Sequence, residues 1–214
     1  LLVTPSISGA NSGTINGSSV ALGVGSGNDV GTNDKVRIDF VVDLVGDTSG
    51  SGGYSVAGNR DHTFDSHYTA NGASALLIAS AGSTVRITAR DDFDADNIVG
   101  DGTIDPITKI VIAYDGVASA FIIPTTTPTN YTVNGVTYTV TLNSDGSVNV
   151  AGVEGTSGAG AIGTQIAAYT LNGYSSLEFA HVSGDPFKLG NFGAVAVTTN
   201  PVSFTVPVEV IDND

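Results

Sequence analysis

The chain alternates apolar and polar residues with period two in several separate stretches, and this pattern constrains its fold more than any other feature. Residues 36–44, 85–90 and 136–142 are the clearest examples. In the first stretch, one strand face is predicted to carry Val36, Ile38, Phe40, Val42 and Leu44. Such alternation is typical of strands that bury one face. A helical period of 3.6 is not evident, although residues 158–169 have room for a turn or two.

The composition and the turn signals also favour sheets. The chain has 26 Val, 15 Ile and 24 Thr against 10 Leu, and β-branched side chains fit a pleated surface better than a helix. Asn134-Gly135 joins two strand-like runs and predicts a type I′ hairpin turn, and residues 143–146 open the next hairpin. We therefore expect an all-β protein of about ten to twelve strands, an antiparallel β-sandwich with long Ca²⁺-binding loops, as one domain over residues 1–214.

The charge of the chain excludes several kinds of partner. Eighteen Asp and three Glu face seven Lys and Arg, which gives a net charge of −14. An acidic chain of this kind lacks the basic surface that binds nucleic acid or anionic lipid, and its apolar runs are too short for membrane insertion. The absence of cysteine excludes disulfides and zinc–thiolate sites. The excess of Asp over Glu favours carboxylates in tight loops, where they bind Ca²⁺ or form turns.

The densest charged segment is residues 91–105, and we call it the acidic segment. It contains six aspartates and no cation: Asp91, Asp92, Asp94, Asp96, Asp101 and Asp105. Mutual repulsion would open such a loop unless a cation compensates it, and Ca²⁺ takes six to eight hard oxygen ligands. The segment is not an EF-hand, because Asn97 and Thr103 replace the required Gly and Glu. A solvated acidic loop without an ion is the alternative interpretation.

A second polar group occupies residues 59–68, and it includes Arg60, Asp61, His62 and His67. Three interpretations stay open: a strand with Phe64 packed inward, a recognition surface, and a transition-metal site, for which the usual ligand spacing is missing. The pattern Gly-x-Gly-x-x-Gly at 158–163 lacks the strand and helix that dinucleotide binding requires. No catalytic motif is present, so we do not expect an enzyme.

Five stretches together resemble domains near the C-terminal end of large RTX adhesins, which are exported by type I secretion. They are residues 61–68, 83–87, 99–108, 187–190 and 206–214. The chain is most similar to the peptide-binding domains of these adhesins. The resemblance implies an extracellular, Ca²⁺-stabilised β-sandwich at the cell surface. Such a domain binds the free C-terminus of a peptide or protein on another cell, and so mediates adhesion and biofilm formation.

The resemblance also suggests roles for individual residues. A Ca²⁺ ion with an open coordination position would bind the terminal carboxylate of the ligand. The predicted metal ligands are Asp91, Asp92, Asp94, Asp96, Asp101 and Asp105, with Asp212 and Asp214 at a second site shared with a neighbouring adhesin module. The predicted ligand-binding residues are Arg60, Asp61, His67, Arg90, Asp94, Asp96 and Asp101. Two alternatives remain, a Ca²⁺-rigidified spacer and a Ca²⁺-dependent lectin; the absence of Trp weakens the lectin interpretation.

Overall fold

The fold was obtained as a computed structural model, which describes residues 1–5, 14–17, 21–24, 28–46, 62–92, 99–100, 102–118, 122–158 and 160–196. Within these ranges the chain forms nineteen strands and no helix, and hence no helix that could cross a membrane. The strands make two large antiparallel sheets that pack on a shared apolar core. The prediction of an all-β antiparallel sandwich is confirmed.

The first sheet, sheet A, has eight strands in the order β1-β4-β18-β10-β16-β15-β14, with β11 pairing the end of β10. Their bounds are β1 Leu2–Pro5, β4 Lys35–Asp39, β10 Ser80–Asp91, β11 Thr103–Asp105, β14 Thr129–Val133, β15 Val136–Leu142, β16 Val148–Gly155 and β18 Ser176–Ser183. The long strand β10 lies in the middle of the sheet, and its last residue is the first aspartate of the acidic segment.

The second sheet, sheet B, has seven strands in the order β13-β12-β17-β9-β19-β3-β2. Their bounds are β2 Ile15–Gly17, β3 Leu22–Val24, β9 Ala70–Ile78, β12 Lys109–Tyr114, β13 Val117–Ala118, β17 Thr164–Tyr169 and β19 Lys188–Ala196. Four short strands form two separate pairs: β5 Val41–Val42 with β8 Ser66–His67, and β6 Val45–Gly46 with β7 His62–Thr63.

The core lies between the inner faces of the two sheets, as the alternation predicts. Val85, Ile87 and Ala89 of β10 are fully buried. Two tyrosines, Tyr138 and Tyr174, bring hydroxyl groups into this apolar layer, and both are hydrogen-bonded. Tyr138 of sheet A shares a hydrogen bond of 3.0 Å with Thr164 of sheet B. A buried hydroxyl without a partner would cost stability, so these bonds allow tyrosine inside the core.

The predicted hairpin turn is confirmed by the backbone. Asn134 and Gly135 both have positive φ, 46° and 83°, and Val133 pairs with Val136 across them. These are the features of a type I′ turn, whose twist matches that of the flanking strands. The hairpin predicted at residues 143–146 is also present, since β15 and β16 pair from Leu142 and Val148 outward.

Three details of the sequence interpretation are wrong. The single strand predicted over residues 36–44 ends at Asp39; Phe40 is buried, but Val42 and Leu44 are exposed. The chain leaves sheet A there, and Asp43 has a φ of 52°, which interrupts the alternation. The helical turn considered for residues 158–169 is absent from the described part, where residues 164–169 form β17. Several strands are only two residues long, so the strand number was underestimated.

Candidate functional site

The structure brings the two polar groups of the sequence together on the outer face of sheet A. His67, on the short strand β8, lies beside Asp92, the second residue of the acidic segment. The distance from His67 Nε2 to Asp92 Oδ2 is 4.0 Å, and the same nitrogen lies 3.9 Å from Asp39 Oδ1. These separations exceed direct hydrogen-bond length. Each side chain is at most 3 % exposed, so a buried histidine–carboxylate cluster of Asp39, His67 and Asp92 lies on this face.

A small second core covers the cluster. It consists of Leu2, Val41, Phe64 and Val99, which are all buried. The Phe64 ring meets the His67 ring edge to face at 4.9 Å between centroids. His62 stacks on the other side of Phe64, with 6.1 Å between centroids. Phe64 is therefore buried, but it lies between β7 and β8 and not in one strand, and it packs in this second core on the outer face of sheet A and not inward.

A charged cluster adjoins this region on the same outer face. Glu178 of β18 is buried and accepts contacts from three cations: Arg37 at 2.6 Å, Lys35 at 3.0 Å and Arg90 at 3.3 Å. Burial by itself would raise the pKa of Glu178, yet the charges of Arg37, Lys35 and Arg90 together hold that pKa below its ordinary value. We call these four residues the Glu178 cluster. It fixes three neighbouring strands to one another through side chains on their outward faces.

The two ends of the acidic segment are held close together. The Asp92 N–H donates to Ser175 Oγ at 2.7 Å, and Ser175 Oγ donates to the Arg90 carbonyl at 3.2 Å. Arg90 Nη1 donates to the Gly102 carbonyl at 2.7 Å, so its guanidinium connects the start of the segment to its end. A Cβ on Gly102 would lie 2.6 Å from the Asp91 carbonyl oxygen. Glycine is therefore required where the returning chain approaches β10.

Asp91 and Asp105 form an acidic pair at the base of the segment. Asp105 pairs with Ala89 across β10 and β11, and Asp91 follows Ala89 by two residues, so both lie on the same side of the sheet. Asp91 Oδ1 and Asp105 Oδ2 are hidden from solvent and have no hydrogen-bond partner among the described residues. Burial, and then the charge of Asp105, raise the pKa of Asp91 above its ordinary value. Among the described residues, no Lys, Arg or His side chain forms an ion pair with Asp91 or Asp105.

The donor set of the acidic pair fits Ca²⁺, which prefers hard carboxylate oxygens. The described residues alone do not complete a site: within the described ranges, no three His, Cys, Asp or Glu side chains are grouped so as to hold a metal ion. Several predicted ligands lie outside these ranges, namely Arg60, Asp61, Asp94, Asp96, Asp101, Asp212 and Asp214. Their roles stay predictions, as do those of His67, Arg90, Asp91, Asp92 and Asp105.

The sequence interpretation missed the residues that surround the predicted ones. Arg37 and Asp39 lie on the polar side of an alternating strand, which normally faces solvent, and yet both are buried. Glu178 and Ser175 belong to a part of the chain with no predicted role. The presence of three charged residues in one short strand, Lys35, Arg37 and Asp39, was a local signal that this face differs from an ordinary solvated one.

Comparisons with known proteins give no further support for a family. No protein-family model, curated protein or solved structure matches the chain. The similarity to RTX adhesin domains therefore depends on the sequence motifs, and the arguments for function depend on the geometry of the acidic segment and its surroundings.

Proposed function

We propose that this chain is a Ca²⁺-dependent ligand-binding domain of an extracellular adhesin, and that it captures the free C-terminal carboxylate of a peptide or protein on another cell. The acidic pair carries the proposal. Two carboxylates with hidden oxygens lie on one side of the sheet, at the point where the chain enters and leaves a segment with further aspartates. Two like charges that are each half-buried repel one another unless a cation joins them.

Asp91 and Asp105 would hold the ion, together with oxygens from Asp94, Asp96 or Asp101 in the same segment. Ca²⁺ needs six to eight oxygens, which leaves positions for water or for a ligand carboxylate. The bound ion supplies positive charge to attract that carboxylate. The chain supplies the anchoring: Ser175 and Gly102 fix the two ends of the segment, so Asp91 and Asp105 are held near one another before the ion arrives.

Arg90 supports this site from the opposite face of β10, because Ala89 and Asp91 point to the other side of the strand. Its guanidinium lies against Glu178 and donates to Gly102, and its side chain is 22 % exposed. This partly exposed guanidinium is suited to contact an acidic side chain of a ligand that extends to the outer face. Arg90 would therefore orient a ligand while it keeps the segment closed.

The first experiment tests the ion. Calorimetric Ca²⁺ titration and thermal melting with and without EGTA should show binding and a large rise in melting temperature for the native chain. Asp105→Asn should weaken the binding at least about tenfold, because it removes an anionic ligand of a hard cation. Asp115→Asn is the matched control: Asp115 is exposed in the turn at the far end of β12, and the change in charge is the same. Equal Ca²⁺ affinity in all three proteins would contradict the proposed site.

The second experiment tests the carboxylate. Peptides selected on an array of C-termini are titrated as free acids and as C-terminal amides in saturating Ca²⁺. Amidation should cost about 2–4 kcal/mol, because the ion loses an anionic partner in a desolvated site. Equal affinities would refute carboxylate capture. Ca²⁺ binding with no peptide hits would favour a rigid spacer, and competition by a free monosaccharide would favour a lectin.

A further inference from the structure

β14 forms one edge of sheet A, and it differs from the other edge strands that the structure describes. β1 ends in Pro5, β2 has three residues and β13 has two. β14 has five residues, Thr129–Val133, without proline or charge. Proteins usually protect sheet edges with short strands, proline or charged side chains, because an open edge can pair with another chain. The edge at β14 has none of these protections.

The hairpin fixes which backbone groups of β14 point outward. In a two-residue type I′ hairpin the residues that flank the turn form a hydrogen-bonded pair. Val133 and Val136 are that pair, so Tyr131 and Thr129 also bond to β15. The N–H and C=O groups of Asn130 and Thr132 therefore point away from β15. Within the described ranges neither residue makes a backbone hydrogen bond to another segment, and both side chains are exposed.

This part of the chain is also electrically neutral. Residues 116–144 contain no Asp, Glu, Lys, Arg or His, although the whole chain has a net charge of −14. Two copies of such an acidic chain repel each other, and they can approach most easily through a surface without charge. A neutral edge is therefore suited to contact with a second copy.

We propose that β14 pairs antiparallel with β14 of a second copy of this chain, about a two-fold axis at Tyr131. In this register Asn130 of one copy lies opposite Thr132 of the other, and their outward backbone groups form four reciprocal hydrogen bonds. The two Tyr131 side chains, which are partly buried at the edge of the core, lie opposite each other as a cross-strand aromatic pair. Sheet A then continues from one copy into the next.

The contact is small, because five-residue strands bury much less than the area of about 1,000 Å² that a stable interface requires. The association is therefore weak in solution. Sedimentation equilibrium should show monomers near ~10 µM and dimers increasing toward ~1 mM, and the dimer fraction should rise with salt as repulsion between the acidic copies is screened. In hydrogen exchange measured by NMR, the amides of Asn130 and Thr132 should gain protection at high concentration.

Variants at Thr132 locate the contact. Thr132→Glu places two like charges near the axis and should weaken dimerisation at least about tenfold at ~0.15 M salt, where the Debye length is about 8 Å. Thr137→Glu is the matched control, since Thr137 is exposed on the same face one strand further in, and its charges lie beyond a Debye length of about 8 Å from each other in the dimer. Thr132→Pro removes the outward N–H and should abolish pairing, provided that circular dichroism shows an intact fold.

Two results would overturn the proposal. One is a monomer at ~1 mM in high salt, where repulsion is screened. The other is a dimer that Thr132→Glu leaves unchanged, or that Thr137→Glu weakens equally, because the contact would then not be the β14 edge.

Discussion

Replacing Glu178 with glutamine removes the carboxylate charge that Lys35, Arg37 and Arg90 share. Arg37 has a side chain only 4 % exposed, and its guanidinium would stay charged and buried after losing a partner at 2.6 Å. Lys35 and Arg90 are 30 % and 22 % exposed, so water can solvate part of their charge. Breaking a buried ion pair by removing one partner typically costs about 3–5 kcal/mol. Because two of the three cations can relax toward solvent, we expect a loss of about 3 kcal/mol.

The pH dependence gives a second signature of the same cluster. The folded-state pKa of Glu178 lies below its value in the unfolded chain, which is near 4.3. A depressed pKa means that the cluster stabilises the fold above pH ~4.3, and that this contribution is lost as the pH falls through the folded-state pKa. The difference in the free energy of unfolding between the native chain and Glu178→Gln should therefore be full at pH 7 and shrink below about pH 4.

The assay is urea unfolding at several pH values in constant Ca²⁺, with melting temperature as a second measure. A loss of about 3 kcal/mol corresponds to a decrease of about 6–12 °C for a chain of this size. Glu154→Gln is the control, because Glu154 is exposed on β16 and the same substitution there should change stability by less than about 0.5 kcal/mol. If Glu178→Gln behaves like this control at pH 7, or if the difference is independent of pH, the account of the cluster is wrong.

Three further predictions follow from other contacts. Asp91→Asn should raise the melting temperature in EGTA, because the half-buried carboxylate of Asp91 is repelled by Asp105, and it should reduce the stabilisation by added Ca²⁺. A variant less stable than the native chain in EGTA would contradict the repulsion. Gly102→Ala should weaken Ca²⁺ binding and lower stability, since its Cβ would meet the Asp91 carbonyl. Gly135→Ala is the control: its φ is positive and the space around it is open, so this variant should lower stability without changing Ca²⁺ binding. Tyr174→Phe should lower the free energy of unfolding in urea by about 1–3 kcal/mol. The reason is that the Tyr174 hydroxyl accepts from the Ala73 N–H and donates to the Ala168 carbonyl inside the core. A loss below about 0.3 kcal/mol would show that other hydrogen bonds replace these two.

The sequence by itself determined the local structure of the sandwich. Alternation over residues 85–90 and 136–142 predicted β10 and β15, and Asn134-Gly135 predicted the turn between β14 and β15. These features depend on neighbouring residues: a side-chain period of two and a backbone that accepts positive φ. The aspartates of residues 91–105 also predict a Ca²⁺ site, from the repulsion among close carboxylates, and this stays a prediction.

Only the tertiary structure decided which polar faces are buried and which charged residues contact one another. Alternation distinguishes two sides of a strand, but it does not show that another segment covers the polar side. Arg37 and Asp39 are buried where the pattern predicted exposure. Arg37 contacts Glu178 across a separation of 141 residues. No local pattern encodes such a contact, since it depends on the order in which β4, β18 and β10 assemble in sheet A.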